Sequence, residues 1–128
     1  MSNELQIKAL IVNWAAAVRS KNIPAILAHH AADFVMYDVP EPFKSVGLEA
    51  YQKTWDLFYL YTEPGVFDIL ELKIVTDENV AFAYAEMRCS NNHDGLGFKV
   101  LDFRLTIGLR KIVGQWTFVH EHHSIPSE

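Results

Sequence analysis

Residues 103–126 read FRLTIGLRKIVGQWTFVHEHHSIP, and this stretch decides the fold. Apolar and polar side chains alternate along residues 103–107 and again from Trp116, which is the period of a β-strand. The residues IVGQ between the two runs have the composition of a short turn. We therefore predict a long antiparallel hairpin near the C-terminus.

The alternation extends upstream of this hairpin. From Val66 onward the period stays at two through VAFAYAEMRCS, residues 80–90, and the segments TDEN and NNHDG interrupt it as turns do. Within residues 80–90 the alanines point to one face and the bulky side chains to the other, so a helix can approach the alanine face closely. Four successive long strands predict an antiparallel meander.

The first half of the chain has helical spacing instead. Apolar residues recur at this spacing from Asn3, the predicted start of a first helix, and from Leu48 in a third one. Between them, Asn22 caps a short second helix with Pro24 in its first turn, running through AILAHHA. Because the helices precede the sheet, we predict an α+β domain with three N-terminal helices packed on a curved, mainly antiparallel sheet.

Length and composition limit the organisation and the partners. At 128 residues the chain fits a single domain, residues 1–128, and its 50% apolar content leaves room for a cavity or an oligomer face beside the core. The net charge of −5 without a basic run argues against a nucleic-acid partner. No apolar stretch is long enough to predict a membrane span. The single cysteine and the absence of a secretory start predict a cytoplasmic protein.

The strand faces sort the candidate polar groups. Asp102 and Arg104 share one face of their strand, either as a structural ion pair or with Arg104 as an anchor for a ligand. In the last strand His120 and His122 share a face, and His123 lies with Glu121 on the other, so His123 is expected in solvent or at an interface. Two imidazoles without a further ligand do not make a zinc site, so no metal is predicted.

Two segments carry a resemblance to a known family. The ending at residues 103–126, with its His-x-His-x-Ser-x-Pro tail, and DFVMYDVPEPFKSVGLEAYQKTW, residues 33–55, resemble the SnoaL-like, ketosteroid-isomerase-like branch of the nuclear transport factor 2-like superfamily. The order of helices and strands agrees with it over nearly the whole chain.

The resemblance implies a cystatin-like cone whose mouth opens on an apolar pocket, commonly a homodimer formed through the outer face of the sheet. It implies a cofactor-independent isomerase, dehydratase or cyclase acting by general acid–base chemistry on an apolar carbonyl compound. Relatives without catalytic activity make a ligand-binding or oligomerisation module the alternative. An epoxide-hydrolase-like activity, suggested by the Asp102–Arg104 spacing, is a second alternative.

The resemblance also suggests the site residues. Asp38 stands where the general base of the ketosteroid isomerases lies, before a loop that leads to the helix-opening Gly47; the alternative is an Asp that only bonds backbone N–H groups in the loop. His122 and Arg104 are the predicted partners that stabilise developing charge. The alternative for His120 and His122 is a strand end whose imidazoles hydrogen-bond the first helix or a dimer partner. The ligand is expected to be a small apolar or carboxylate- or carbonyl-bearing molecule. Its predicted binding residues are Trp14, Tyr51, Trp55, Phe82, Asp102 and His120.

Overall fold

The computed structural model describes residues 2–62, 65–91, 97 and 99–126. Three helices and six strands follow one another in these ranges, with the helices and two short strands first, and the four long strands after them. In chain order they are α1 (Asn3–Arg19), α2 (Ile23–Leu27), β1 (His30–Tyr37), β2 (Lys44–Val46), α3 (Leu48–Tyr61), β3 (Phe67–Thr76), β4 (Val80–Asn91), β5 (Lys99–Ile112) and β6 (Gln115–Ser124).

The six strands form one mixed sheet in the order β2-β1-β6-β5-β4-β3. Strands β3 to β6 pair with their sequence neighbours in antiparallel fashion, as the alternation predicts. Strand β1 joins β6 in parallel, and β2 adds antiparallel to β1 at the sheet edge. The predicted α+β, mainly antiparallel architecture is confirmed; of the predicted turns, NNHDG falls largely outside the described residues.

The helix starts agree with the predictions, and one helix end differs. Helix α1 starts at Asn3, and its N-cap is Ser2, whose hydroxyl accepts the Leu5 N–H at 3.2 Å. The prediction for the start of α2 is confirmed, since the Asn22 side chain accepts from the backbone N–H three residues later. However, α2 ends at Leu27, because the next residues leave helical conformation, and His30 already belongs to a strand.

A β-bulge in the last hairpin sets the orientation of the C-terminal side chains. Leu109 pairs with Phe118, but the preceding Gly108 pairs with His120, so Val119 is an extra residue in β6. The simple alternation therefore breaks at Val119. Before the bulge Trp116 and Phe118 face the core, and after it the inward side chains are Glu121 and His123.

The two faces of the sheet differ in character. The inner face packs against the helices and contributes the alanines of β4, Met87, Leu105 and Ile107 to the core. The outer face of β4 carries Phe82 and Tyr84, each about half exposed. None of the described helices is both long and apolar enough to cross a membrane.

Candidate functional site

A cavity of about 620 Å³ lies between α3, the inner face of the sheet and the loop that follows β1. Its wall is largely aromatic and aliphatic, and the exposed loop residues 39–42 stand at its rim. The polar side chains on it are few and include Asp38 and His123. The aromatic wall consists of Trp55, Phe58, Tyr61, Phe67 and Phe103.

Asp38 lies immediately beyond the end of β1 and lines this cavity. Its carboxylate accepts the Val39 N–H at 2.8 Å, and its own N–H donates to the carbonyl of Phe43 across the loop. The side chain is only 19% exposed. The predicted loop bond and the predicted position at the pocket are therefore both present.

His123 faces Asp38 from the neighbouring strand. The bulge at Val119 turns His123 inward, where its ring stacks on Phe103 with centroids 5.4 Å apart. Its Nδ1 lies 3.8 Å from Asp38 Oδ1, and its Nε2 is bound to a Glu121 carboxylate oxygen. An imidazole held between two carboxylates is placed to carry a proton to or from the cavity.

Glu121 belongs to a chain of buried polar groups beneath the cavity. The carboxylate is 2% exposed and accepts a hydrogen bond from the Tyr51 hydroxyl at 3.0 Å. That hydroxyl in turn accepts from the Trp14 indole N–H at 3.1 Å. These bonds connect α1 and α3 to the sheet and fix Glu121 behind His123.

The surroundings of these groups shift their protonation. Burial alone would lower the pKa of His123, but the charge of Glu121, the hydrogen bond to it and the charge of Asp38 together raise that pKa above its usual value. Burial, together with the charge of Glu121, raises the pKa of Tyr51 well above its usual value. His123 is thus favoured as an imidazolium, and Tyr51 as a neutral hydrogen-bond donor.

The shifted pKa values of His30 and His123 predict a maximum of folding stability near the ordinary histidine pKa of about 6.5. Because the pKa of His123 is raised in the folded protein, the full contribution of this residue to folding stability is present below the ordinary pKa. That contribution is lost as the pH rises through the raised, folded-state pKa. Burial lowers the pKa of His30, so the full contribution of this residue to folding stability is present above the ordinary pKa. That contribution is lost as the pH falls through the lowered, folded-state pKa. Urea unfolding as a function of pH measures both limbs.

Two histidine variants separate the limbs of this profile. His123→Asn is expected to flatten the alkaline limb and leave the acid one. His122→Asn, which changes the neighbouring exposed imidazole, should preserve both limbs. A loss of stability that persists in His123→Asn between about pH 6.5 and 8, below the range in which cysteine and tyrosine side chains titrate, would contradict the assignment.

Cys89 also lines the cavity. Burial raises the pKa of its thiol to about 11, so the thiolate that a nucleophilic cysteine requires is scarce at neutral pH. The cavity therefore does not offer an activated cysteine.

The structure corrects the placement of Asp102 and Arg104. Both side chains lie on the exposed outer face of β5, away from the cavity. Asp102 accepts two hydrogen bonds from Arg88, at 2.7 and 3.1 Å, rather than pairing with Arg104. The alternative of a structural ion pair is thus correct for Asp102, but its partner is Arg88 on the neighbouring strand β4. The epoxide-hydrolase alternative rested on Asp102 and Arg104, and neither residue lines the cavity.

His120 and His122 also lie on the outer face, so the prediction that they face the pocket is wrong. His120 Nδ1 donates to the Val35 carbonyl at 2.8 Å, and both imidazoles contact the ring of Tyr37. The physical reason is the bulge, which sequence alternation does not reveal. His123, expected in solvent or at an interface, takes their place at the cavity.

The predicted aromatic ligand contacts divide into three groups. Trp55 lines the cavity as predicted. Trp14 and Tyr51 are buried beneath it, where they hold Glu121 rather than a ligand. Phe82 is on the outer face of β4 and does not reach the cavity.

The comparisons with known proteins bear on this fold and site. The family described as the SnoaL-like domain matches residues 7–128. This chain belongs to the SnoaL-like domain family. The suspected resemblance is thereby confirmed for nearly the whole sequence. Among curated proteins, none matches the sequence of this SnoaL-like domain significantly.

Solved structures repeat the fold of this SnoaL-like domain. A nuclear transport factor 2-like protein of unknown function from Pseudomonas putida KT2440 is 33% identical, with a TM-score of 0.85 over 100% of this chain and 91% of that one. A ketosteroid isomerase-like protein from Erwinia carotovora atroseptica is 20% identical, with a TM-score of 0.81 and 100% of both chains covered. A Novosphingobium aromaticivorans protein, provisionally named a scytalone dehydratase, is 16% identical, with a TM-score of 0.79 over 94% of this chain and 81% of that one. The last two likenesses concern the fold alone.

Proposed function

We propose that this SnoaL-like domain is a cofactor-independent acid–base enzyme that moves a proton next to the carbonyl group of an apolar compound. The proposal depends on the pair formed by Asp38 and His123 on the wall of an otherwise largely apolar cavity, with Oδ1 of Asp38 3.8 Å from Nδ1 of His123. A base and an acid held side by side in such surroundings suit isomerisation and dehydration.

The two side chains have complementary tasks in this reaction. The Asp38 carboxylate accepts a proton from the carbon next to the substrate carbonyl. The His123 imidazolium, through Nδ1–H, donates a hydrogen bond or the proton itself to the oxygen on which negative charge develops. When the proton returns to a different carbon, the product is an isomer; when His123 protonates a departing hydroxyl group, water is lost.

Glu121 and Tyr51 support this arrangement without touching the substrate. Glu121 engages Nε2 of His123, which leaves Nδ1 directed towards Asp38. Tyr51 holds the second oxygen of Glu121. The ketosteroid isomerase-like and dehydratase names of two structural neighbours agree with this class of reaction.

Exchange of hydrogen for deuterium at the α-carbon of 2-tetralone in heavy water tests the proposal without the natural substrate. The wild-type protein is expected to accelerate exchange above the buffer rate, with saturation as the ketone concentration rises, as followed by proton NMR. Binding of 2-tetralone without acceleration would contradict catalysis and favour the alternative of a ligand-binding module.

We also propose that a second copy of the chain covers the outer sheet face. Phe82 and Tyr84 are 48% and 51% exposed, their rings stack 6.4 Å apart, and Val75 lies opposite Phe82 on β3 at 50% exposure. Half-exposed apolar side chains grouped on one sheet face support a protein partner, and an apolar sheet face is complementary to its own copy.

Sedimentation velocity measures this association. Phe82→Glu is expected to weaken the dimer by at least about thirtyfold, because its charge would be buried in the centre of the apolar patch. Leu5→Glu, at an exposed apolar position on α1, serves as the control and should leave the dimer intact. A wild-type protein that stays monomeric, or a Phe82→Glu dimer of unchanged affinity, would refute the proposal.

A further inference from the structure

The charges around the cavity point to a more specific ligand than an apolar compound in general. Among the described lining residues the ionisable carboxyl groups are those of Asp38 and Glu41, and the one basic group is the His123 imidazole. No lysine or arginine stands among those lining residues. A third carboxylate, Glu121, lies directly behind His123.

His123 is not available as the counter-ion of a ligand anion. Its two ring nitrogens already face carboxylates, Glu121 on one side and Asp38 on the other. A ligand carboxylate near Nδ1 would therefore be placed close to the Asp38 carboxylate as well. At short range in a site of low polarity, that repulsion adds to the unfavourable removal of the ligand anion from water.

The arginine that would have accepted a carboxylate lies elsewhere. Arg104 is on the exposed face of β5, and Arg88 is committed to Asp102 on the same outer face. The threonine hydroxyls on the wall are also engaged, since Thr54 donates to the Tyr51 carbonyl within α3, and Thr62, which caps the end of α3, donates to the Phe58 carbonyl. The His123 Nδ1–H beside Asp38 is a donor that a neutral ligand oxygen can use.

The wall favours flat rings. Trp55, Phe58 and Phe67 meet edge-to-face with centroids 5.2 to 6.0 Å apart, and Phe103 continues this surface towards the stacked ring of His123. Aromatic edges and faces of this kind pack well against a planar apolar ring system.

We infer that the cavity selects an uncharged, ring-containing ketone or alcohol and rejects the corresponding carboxylate, with the ligand oxygen at the Nδ1–H of His123. The inference rests on the proposed function for the position of that oxygen. Carboxylate-bearing molecules are thereby removed from the expected ligands, because Arg104, their predicted anchor, does not line the cavity. The selectivity comes from the carboxylates that surround His123, so Asp38 is both the base and the residue that excludes anions.

The matched pair of 2-acetylnaphthalene and 2-naphthoate tests the inference by calorimetric titration at neutral pH. The two probes have nearly the same shape and differ in charge. The ketone is expected to bind the wild-type protein at least about tenfold more tightly than the carboxylate. Asp38→Asn, which removes one negative charge without changing the shape, should bring the two affinities within about threefold by strengthening the binding of 2-naphthoate.

Each other outcome overturns the inference. Equal or tighter binding of 2-naphthoate to the wild type shows that the carboxylates do not exclude anions, and no binding of the ketone shows that the cavity does not take this class. An unchanged affinity ratio in Asp38→Asn shows that Asp38 is not the selective residue. The exchange of 2-tetralone is measured separately, so the acid–base function can fail or survive independently of this affinity ratio.

Discussion

Asp38→Asn is expected to reduce the protein-catalysed exchange of 2-tetralone by about 10²- to 10⁴-fold, the contribution typical of a positioned general base. The asparagine keeps an oxygen for the Val39 N–H, so the loop that carries residue 38 should retain its conformation. What is lost is the negative charge, and with it the basicity, of the side chain beside His123 at the cavity wall. The measurement is the saturating exchange rate by NMR, with the fold checked by circular dichroism.

Asp33→Asn is the matched control for this substitution. Asp33 is an exposed carboxylate on the same strand, and it does not line the cavity. Its exchange rate should equal that of the wild type. A rate in Asp38→Asn within about twofold of the wild type would remove Asp38 as the base, since removing a general base has a far larger effect.

His123→Leu is expected to lower the free energy of unfolding by about 3 kcal/mol at neutral pH. The leucine leaves the Glu121 carboxylate 2% exposed and without its cationic partner, and it also removes the imidazole stacked on Phe103. A buried charge deprived of its partner is among the most destabilising changes that one substitution produces. Urea unfolding measures the difference.

Two further variants make this result specific. His122→Leu changes the exposed histidine next along the strand and should alter stability by no more than about 0.5 kcal/mol. In the double variant with Glu121→Leu, the loss should fall short of the sum of the two single losses by about 1–3 kcal/mol, because the pair is removed together. Strict additivity would show that Glu121 and His123 do not interact in the folded protein.

Much of the fold could be predicted from local patterns. The period-two alternation and the turn segments predict the four long strands, and the helical spacing with Asn22 and Pro24 predicts the helices. The short edge strand β2 was not predicted, because its three residues lie in a proline-rich loop and pair only with β1. A pattern of three residues carries too little periodicity to distinguish a strand from a loop.

The candidate site was predictable only in part. Asp38 follows from the resemblance, which places the base of the ketosteroid isomerases before the loop that leads to Gly47, and Trp55 follows from its place on a helix. The alternation also grouped Glu121 with His123 correctly, but it placed that face of β6 away from the core. A glutamate on the same strand face as a histidine was the available signal for a buried pair. That signal is weak, because glutamate side chains are rarely buried in proteins.

The sequence by itself determined the elements, their order, the family and the presence of a carboxylate at the end of β1. The tertiary structure decided which residues meet that carboxylate. The single extra residue at Val119 reverses the faces of β6, turns His122 outward and brings His123 to Asp38. A bulge depends on how two strands pair across the sheet, so no period within one strand reveals it. That is why His123, with Glu121 behind it, takes the place predicted for His122. Arg104 is excluded for a separate reason, since the alternation of β5 sends its side chain to the outer face.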